Sequence, residues 1–349
     1  MRREIPENNG RLRQIPWLER YRRGSWCLIG LLLLLLLAGC SPYSGKPLVV
    51  FASPLSLKVN QVVEALKAGL APRELEVLYA PEFGPEGEGV LAQLRKKNPG
   101  LIIALGSPAL LRLAALEKRT PVVFGMVANP YILGVAHDPQ HPEIHQKNIT
   151  GLTSPPPVKA ALEQGAKLFG PCPWGLLYDP GEGMAAELAQ LFVSLAPKFG
   201  LIPLLETSTE AQGDLAAMSR LQKRGARVLY LPPTATAARY APLAMSWGRA
   251  GRVLVVSSLP QDEPRGAVLR VTLDYQALGQ EIAVLVRKVL AGEKPEFLPI
   301  RESSPLKIVV DEALWRHWQA YPLPPRGASR EKGGLGAFPP KFNLEEFPS

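Results

Sequence analysis

The sequence predicts an α/β protein of two lobes, each a parallel β-sheet covered by helices on both faces. Short apolar runs alternate with segments of helical periodicity from residue 47 onward, and the alternation occurs as two successive sets that meet near residues 150–157. Strands that are apolar on both faces and separated by helices are typical of parallel sheets buried between helices. The 349 residues of the chain also suffice for two lobes, since a domain has about 150 residues.

The first set begins at residue 47. Short, largely apolar runs predict strands at 48–51, 75–79, 101–105 and 121–124. Apolar residues at helical spacing predict helices over 60–70, 89–97 and 107–116. In the last of these, Ser107 is the expected N-cap and Pro108 the first helical residue. A loop-rich segment follows at 128–148.

The second set begins after a crossover segment at 149–153. Apolar runs predict strands at 174–178, 201–205, 228–231 and 252–256. Helical spacing predicts helices over 184–196, 213–223 and 235–248. A return strand at 267–271, a helix at 278–290 and a last strand at 307–310 complete the set.

These elements predict the domain boundaries. The first lobe is expected over 47–152, with a return segment at about 270–300, and the second lobe over 153–269. Residues 270–321 contain the return crossing and the terminal elements. The tail, 322–349, is rich in proline, glycine and charge and is predicted to be disordered.

The N-terminus has the features of an export signal. Basic residues precede an apolar run at 26–38, which is too short for a comfortable membrane-spanning helix of about 20 residues. The run ends in Leu-Ala-Gly-Cys at 37–40, which resembles the bacterial lipobox and implies lipid attachment to Cys40. Residues 1–39 are therefore predicted to be a lipoprotein signal peptide, and 40–46 a lipid-anchored linker.

The alternative is an uncleaved membrane anchor with a chance cysteine. Both interpretations place residues 41–349 outside the cytoplasm, attached to the membrane on its periplasmic side or at the cell surface. Cys27 lies in the signal and Cys40 is the proposed lipid site, which leaves Cys172 without a disulfide partner. Cys172 is expected to be a structural thiol.

Charge argues against a nucleic-acid partner. The formal net charge is +9, and the first 39 residues contribute +4 of it (seven arginines against three glutamates), which leaves +5 for the rest. No dense basic stripe interleaved with aromatic residues is present in the sequence.

Candidate ligand-binding residues follow the predicted strands. In open parallel sheets a ligand lies at the carboxyl ends of the strands, where helix N-termini favour an anion. The residues that meet this criterion are Ser53, Gly106, Ser107, Asn129, Asp179, Thr234, Ser257 and Ser258. Gly106 and Ser107 are the preferred pair, because glycine admits a close ligand and serine offers a hydroxyl. Ordinary helix capping is the alternative role of Ser107.

Other patterns in the sequence bear on enzymatic, cofactor or metal chemistry. A G-x-G-x-x-A pattern at 181–186, with Glu206 at the end of the next strand, would suit a dinucleotide, but two residues separate its glycines from the preceding strand. His137, His141 and His145 are spaced by four residues, but intervening prolines break the helix that would align them. No hydrolase, zinc-protease or phosphate-loop motif is found in the sequence, so neither catalysis nor a cofactor nor a metal is expected.

Five segments together resemble a known family. They are IALGSPA at 103–109, TPVVF at 120–124, NITGLT at 148–153, DYQALG at 274–279 and LAGEKP at 290–295. Their order and spacing are similar to those of the ABC-transporter substrate-binding proteins that include tryptophan and tyrosine binders. The similarity extends from about residue 47 to residue 323.

The resemblance implies a type-I periplasmic-binding fold, in which two Rossmann-like lobes are joined by three hinge crossings. It implies that Ser107 donates to the ligand, that Thr153 lies at the hinge edge of the cleft, and that Tyr131 packs on the ligand or the cleft wall. Asn129 stands where the family usually has aspartate. Thr234 and the residues after it replace the family's usual Asp-Asn pair.

The expected partners are a small solute, such as an amino acid, an ABC permease with its ATPase, and the membrane through the lipid on Cys40. The chain is expected to act as a monomer. Two alternatives remain at this point: a lipoprotein of the same fold that signals to a membrane kinase, and an extracytoplasmic enzyme.

Overall fold

A computed structural model describes residues 45–53, 56–79, 85–259 and 266–320. The proposed signal peptide, the lipid site Cys40 and the tail at 322–349 lie outside the described residues. No helix among the described residues is long and apolar enough to cross a membrane.

The described elements alternate along the chain. Their order is β1 (Leu48–Ala52), α1 (Leu57–Leu70), β2 (Leu75–Tyr79), α2 (Pro85–Lys96), β3 (Leu101–Leu105), α3 (Ser107–Leu116), β4 (Val122–Val127), β5 (Ile149–Thr153), α4 (Val158–Phe169), β6 (Pro173–Tyr178), α5 (Gly183–Leu195), β7 (Ile202–Thr207), α6 (Ala211–Lys223), β8 (Val228–Leu231), α7 (Ala235–Arg249), β9 (Leu254–Ser257), β10 (Leu269–Leu273), α8 (Tyr275–Leu290), β11 (Arg301–Glu302), β12 (Leu306–Val310) and α9 (Glu312–Ala320). Short 3₁₀ turns lie at Ala196–Phe199 and Pro295–Phe297.

The first sheet has the strand order β11-β5-β4-β3-β1-β2, and all its strands are parallel. Every residue of β1 and β3 is buried, because helices cover both faces. Apolar residues of α1 and α8 pack on one face, and those of α2 and α3 on the other. This double cover explains why these strands read as continuous apolar runs in the sequence.

The second sheet has the order β12-β10-β9-β8-β6-β7. Its strands are parallel except β12, which runs antiparallel to β10. Helices α4, α5 and α9 contribute to the core on one face, and α6 and α7 to the core on the other. Trp174 and Tyr230 are fully buried in the first of these cores.

The chain passes between the two sheets three times, after β5, after β10 and after β11. Strand β10 belongs to the second sheet, so the chain returns to the first lobe only after Leu273, where α8 packs beside α1. The predicted fold class is confirmed: two parallel-sheet lobes with three crossings. Helices α4 and α9 and strand β11 are absent from the elements expected from the sequence.

Candidate ligand-binding cleft

Ser53, Gly106 and Ser107 lie together at the carboxyl edge of the first sheet. The backbone N–H of Ser53 donates to the carbonyl of Leu105 at 2.8 Å, which fixes the turn after β1 beside the turn after β3. Gly106 has φ of +93°, and a Cβ built on it would lie 2.1 Å from Ser53 Oγ. The sequence therefore needs glycine at 106 both for this backbone conformation and for the close approach of the Ser53 hydroxyl.

The expectation that Ser107 caps α3 is wrong. Gly106 occupies the N-cap position, Ser107 is the first helical residue, and no side chain caps this helix. The physical reason is the positive φ at the turn, which places glycine rather than serine at the boundary. The Ser107 hydroxyl, which forms no capping hydrogen bond, lies at the start of α3 and remains available to a ligand.

Three hydroxyl groups of the first lobe are buried without a hydrogen-bond partner. They are the Oγ atoms of Ser53, Ser154 and Ser304, which follow β1, β5 and β11. Ser154 is only 6% exposed. Because these strands are parallel members of one sheet, the three hydroxyls lie along the same edge. A buried hydroxyl without a partner costs about 1–3 kcal/mol, so a polar ligand that bound here would recover that energy. Ser154 and Ser304 were not among the predicted residues.

The other predicted residues of the first lobe have local structural roles. Asn129 Oδ1 accepts the backbone N–H groups of Tyr131 at 3.0 Å and Ile132 at 3.4 Å, which closes the turn after β4. Thr153 is buried at the end of β5, and its hydroxyl donates to the carbonyl of Arg301 at 3.5 Å. Tyr131 is half-buried beside this turn, and desolvation raises the pKa of its phenol.

The predicted residues of the second lobe are engaged locally as well. Asp179 Oδ1 accepts the N–H of Gly181 at 2.8 Å. Thr234 caps α7, since its Oγ1 accepts the N–H of Ala237 at 3.1 Å. Two further hydroxyls, those of Ser257 and Ser258, accept hydrogen bonds from the Leu259 N–H at 3.2 Å and the Tyr230 phenol at 3.1 Å.

Glu182 is a residue of this region that sequence reasoning missed. Its Oε1 accepts the N–H of Ala235 at 2.7 Å, and its Oε2 accepts both the N–H and the hydroxyl of Thr236 at 2.9 and 2.6 Å. Partial burial raises the pKa of this carboxyl, but the hydrogen bonds from Thr236 and Ala235 outweigh it and hold the pKa below its usual value. Glu182 therefore places a fixed negative charge at the carboxyl edge of the second sheet, where the N-terminus of α7 would otherwise attract an anion.

A buried ion pair lies behind Glu182. The Arg239 guanidinium donates to both oxygens of Asp214 at 3.0 and 2.9 Å, and Ser208 Oγ donates to the same carboxylate at 2.6 Å. Asp214 is 3% exposed, and its hydrogen bonds with Arg239 raise the pKa of that guanidinium. The pair joins α6 to α7 and so supports α7, whose first N–H groups donate to the Glu182 carboxylate.

The histidine loop is bound to the return segment of the first lobe. The two ring nitrogens of His145 lie 3.0 Å from the carbonyl oxygen of Gln146 and 3.1 Å from that of Leu298. The ring of His141 is 3.2 Å from the carboxylate of Glu143. Within the described ranges, no three metal-ligating side chains lie close enough together to hold an ion.

The carboxyl edges of the two sheets differ in the polar groups that they present. The first lobe presents unpartnered hydroxyls and an uncapped helix N-terminus. The second presents a helix N-terminus that Glu182 already satisfies. The cavity of about 760 Å³ between α1, α8 and β12 is a different place, because none of the predicted residues lines it.

This architecture defines a two-lobed protein of the periplasmic-binding class. Residues 86–318 match the family described as ABC transporter substrate binding protein, which is more than half of the chain. The chain belongs to this family. It is a family of solute-binding proteins rather than of enzymes, and its members work outside the cytoplasm with ABC transporters. No curated protein sequence is significantly similar to this chain.

Solved structures share the fold at low identity. A substrate-binding protein with adhesive properties from Clostridium difficile, in a ligand-free, open structure, has a TM-score of 0.68 at 17% identity, over 78% of this chain and 94% of that one. A domain from Streptococcus pneumoniae in complex with L-Trp has a TM-score of 0.58 at 19% identity, over 78% and 94%. A conserved domain protein from Vibrio cholerae has a TM-score of 0.58 at 19% identity, over 78% and 95%.

Proposed function

We propose that this chain is the lipid-anchored receptor of an ABC importer and that it binds an amino acid or similar zwitterion between its lobes. The observation that carries the proposal is the row of three buried, unpartnered hydroxyls, Ser53, Ser154 and Ser304, at one edge of the first sheet. Buried polar groups are nearly always hydrogen-bonded in proteins, and an exception calls for an explanation, of which a bound ligand is one.

The charges of the two lobes support a zwitterionic solute. In the first lobe, the hydroxyls of Ser53 and Ser107 and the uncapped N-terminus of α3 suit a carboxylate. In the second lobe, Glu182 and Asp179 present carboxylates that suit an ammonium group. The L-Trp bound to the structurally similar pneumococcal domain is such a zwitterion.

The lipid on Cys40 would hold the receptor at the membrane, close to its permease. One acyl chain binds a membrane only marginally, so stable anchoring needs more than one. The anchor is tested by mass spectrometry of the mature N-terminus. Cleavage before Cys40 with a lipid adduct is the expected result, and an unmodified or uncleaved chain would contradict it.

Solute binding is tested by calorimetry against the amino acids and other small metabolites. We expect a saturable ligand among the zwitterions. We expect Ser107→Ala and Ser53→Ala each to weaken its binding at least about tenfold, since each removes a hydrogen bond to a charged group worth about 1.5–3 kcal/mol. Ser194→Ala is the matched control, because this hydroxyl donates only to the carbonyl of Leu191 on the exposed face of α5. A folded chain that binds nothing on the panel would refute the proposal.

A further inference from the structure

An open cavity of about 760 Å³ lies beside the hinge, apart from the residues assigned to the solute. Its lining comes from both lobes. Helix α1 and the start of α8 contribute from the first lobe, and the end of β10 and the start of β12 contribute from the second. Its volume is in the range of about 300–1,000 Å³ that is usual for small-molecule sites.

The acidic residues that line the cavity have partners within the protein, whereas its lysines have none at their ammonium groups among the described residues. Two of the lining residues are acids: Glu64 forms an ion pair at 2.8 Å with a neighbouring lysine of α1, and Asp274 accepts a backbone N–H at 2.9 Å as the N-cap of α8. Two are lysines, Lys58 on α1 and Lys307 on β12. Among the described residues, neither lysine has an ion pair or hydrogen bond at its ammonium group. Each lobe therefore contributes one uncompensated cation.

The surroundings of Lys58 leave its ammonium in need of a partner. Burial lowers the pKa of Lys58, which means that its ammonium is poorly solvated at this position. Lys58 is the second residue of α1, and Tyr275 in the same lining is the first residue of α8, so both helices begin at the cavity. The N-terminus of α1, capped by the neutral Ser56, adds partial positive charge here, whereas that of α8 is capped by the Asp274 carboxylate.

We propose that this cavity binds a small organic anion with phosphate or carboxylate groups, which contacts Lys58 of the first lobe and Lys307 of the second. Amide side chains of Asn60, Gln61 and Gln276 line the cavity and supply neutral hydrogen bonds. Because the anion joins both lobes, it favours the arrangement of the lobes in which the two lysines approach each other. The cavity is thus a second site, separate from the residues assigned to the solute, and an anion bound there acts on the same hinge.

The test is calorimetry of the chain as the cell produces it, purified in detergent, with inorganic phosphate and citrate as separate probes. Ionic strength is held constant with chloride, so that screening does not imitate binding. We expect saturable binding of at least one probe, and at least tenfold weaker binding in both Lys58→Gln and Lys307→Gln. Lys288→Gln is the matched control, because it removes the same charge from an exposed position of α8 outside the cavity; it should change affinity less than twofold.

Three results would overturn the proposal: no saturable binding of either probe, unchanged binding in the two lysine variants, or an equal loss in Lys288→Gln, which would indicate general attraction of anions. The solute site is distinguished by Ser107→Ala, which should leave anion binding unchanged. Conversely, Lys58→Gln and Lys307→Gln should retain the affinity for the solute. Anion binding could therefore be confirmed even if no solute bound, and solute binding could be confirmed even if no anion bound.

Discussion

At the residue scale, Gly106 forms the turn between β3 and α3 at the carboxyl edge of the first sheet. Its φ of +93° is open to glycine at little cost, and the Ser53 hydroxyl lies where any side chain at 106 would begin. Ser53 Oγ has no hydrogen-bond partner among the described residues. A single position thus sets both the turn into α3 and the placement of a hydroxyl proposed to bind the solute.

We expect Gly106→Ala to reduce the free energy of unfolding by about 3 kcal/mol or more, because backbone strain and overpacking each cost about 1–3 kcal/mol. Urea unfolding measures the change. Gly134→Ala is the control: its φ is +72°, but nothing lies within 4 Å of the added Cβ. The control should lose only about 1–2 kcal/mol, the cost of the left-handed conformation. Equal losses in the two variants would contradict the role of the Ser53 contact.

At the element scale, helices α3 and α7 differ in whether side chains cap their N-termini. No side chain caps α3, whereas Thr234 and Glu182 together bind the N–H groups of Ala235, Thr236 and Ala237 at the start of α7. Helix N-termini leave N–H groups that need acceptors. The N-terminus of α7 is therefore satisfied within the protein, whereas that of α3 has no side-chain acceptor.

Glu182→Gln should therefore destabilise the protein in a pH-dependent way. The carboxyl of Glu182 has a lowered pKa in the folded state, so its stabilisation is present above the unfolded pKa of about 4.3 and is lost as the pH falls through the folded pKa. We expect a loss of about 1 kcal/mol at pH 7, typical of a helix cap, and a smaller loss at about pH 3. Urea unfolding at both values measures it.

Glu163→Gln is the control for charge removal. The side chain of Glu163 is 39% exposed, and its carboxylate pairs at 2.7 Å with Lys167 on the surface of α4. Such exposed pairs contribute little to stability. A pH-independent effect of Glu182→Gln, or an effect no larger than that of Glu163→Gln, would count against the capping role.

The contact between α1 and α8 holds the returning chain to the first lobe. A Cβ on Gly279 would lie 2.6 Å from the Ala65 Cβ and 2.8 Å from the Val62 carbonyl oxygen, and this backbone cannot move easily. We expect Gly279→Ala to cost about 1–3 kcal/mol through overpacking, measured by urea unfolding. Gly183→Ala, on α5 with open space around its Cβ, should be neutral or slightly stabilising. A neutral Gly279→Ala would refute close packing here.

At the scale of the whole molecule, two sheets are joined by three crossings, which follow β5, β10 and β11. A ligand that contacts both edges binds the closed arrangement more tightly than the open one, and it shifts the population by that difference in affinity. Ser154 and Ser304 lie at two of the crossings, so the solute binding that we propose would bring their unpartnered hydroxyls into the region where the lobes meet.

Saturating solute should stabilise and compact the protein together. At a free concentration of 100 times Kd, linkage predicts about 2.7 kcal/mol of added stability, seen as a rise in Tm, and small-angle scattering should show a smaller radius of gyration. Ser107→Ala at the same solute concentration should show a smaller rise. A rise in Tm without compaction would argue for binding to one lobe only.

Much of the fold could be predicted because local patterns of apolar residues specify its strands and helices. Strands β1 and β3 are continuous apolar runs since both faces are covered, and α1 and α8 show the spacing of a buried helix face. Helix α4 was not predicted, and neither was β11, which has only two residues and is held by pairing with β5. A strand that short has no periodicity of its own.

The sequence alone determined the alternation of strands and helices and the two sets, because these follow from apolar periodicity. The edge at which we propose that a ligand binds follows from the direction of parallel strands. Only the tertiary structure decided which polar groups at that edge are free. Glu182 meets α7 across more than 50 residues of sequence, and Ser53 meets Gly106 across a similar interval. Such contacts depend on how strands pair and helices pack, and no local pattern records them.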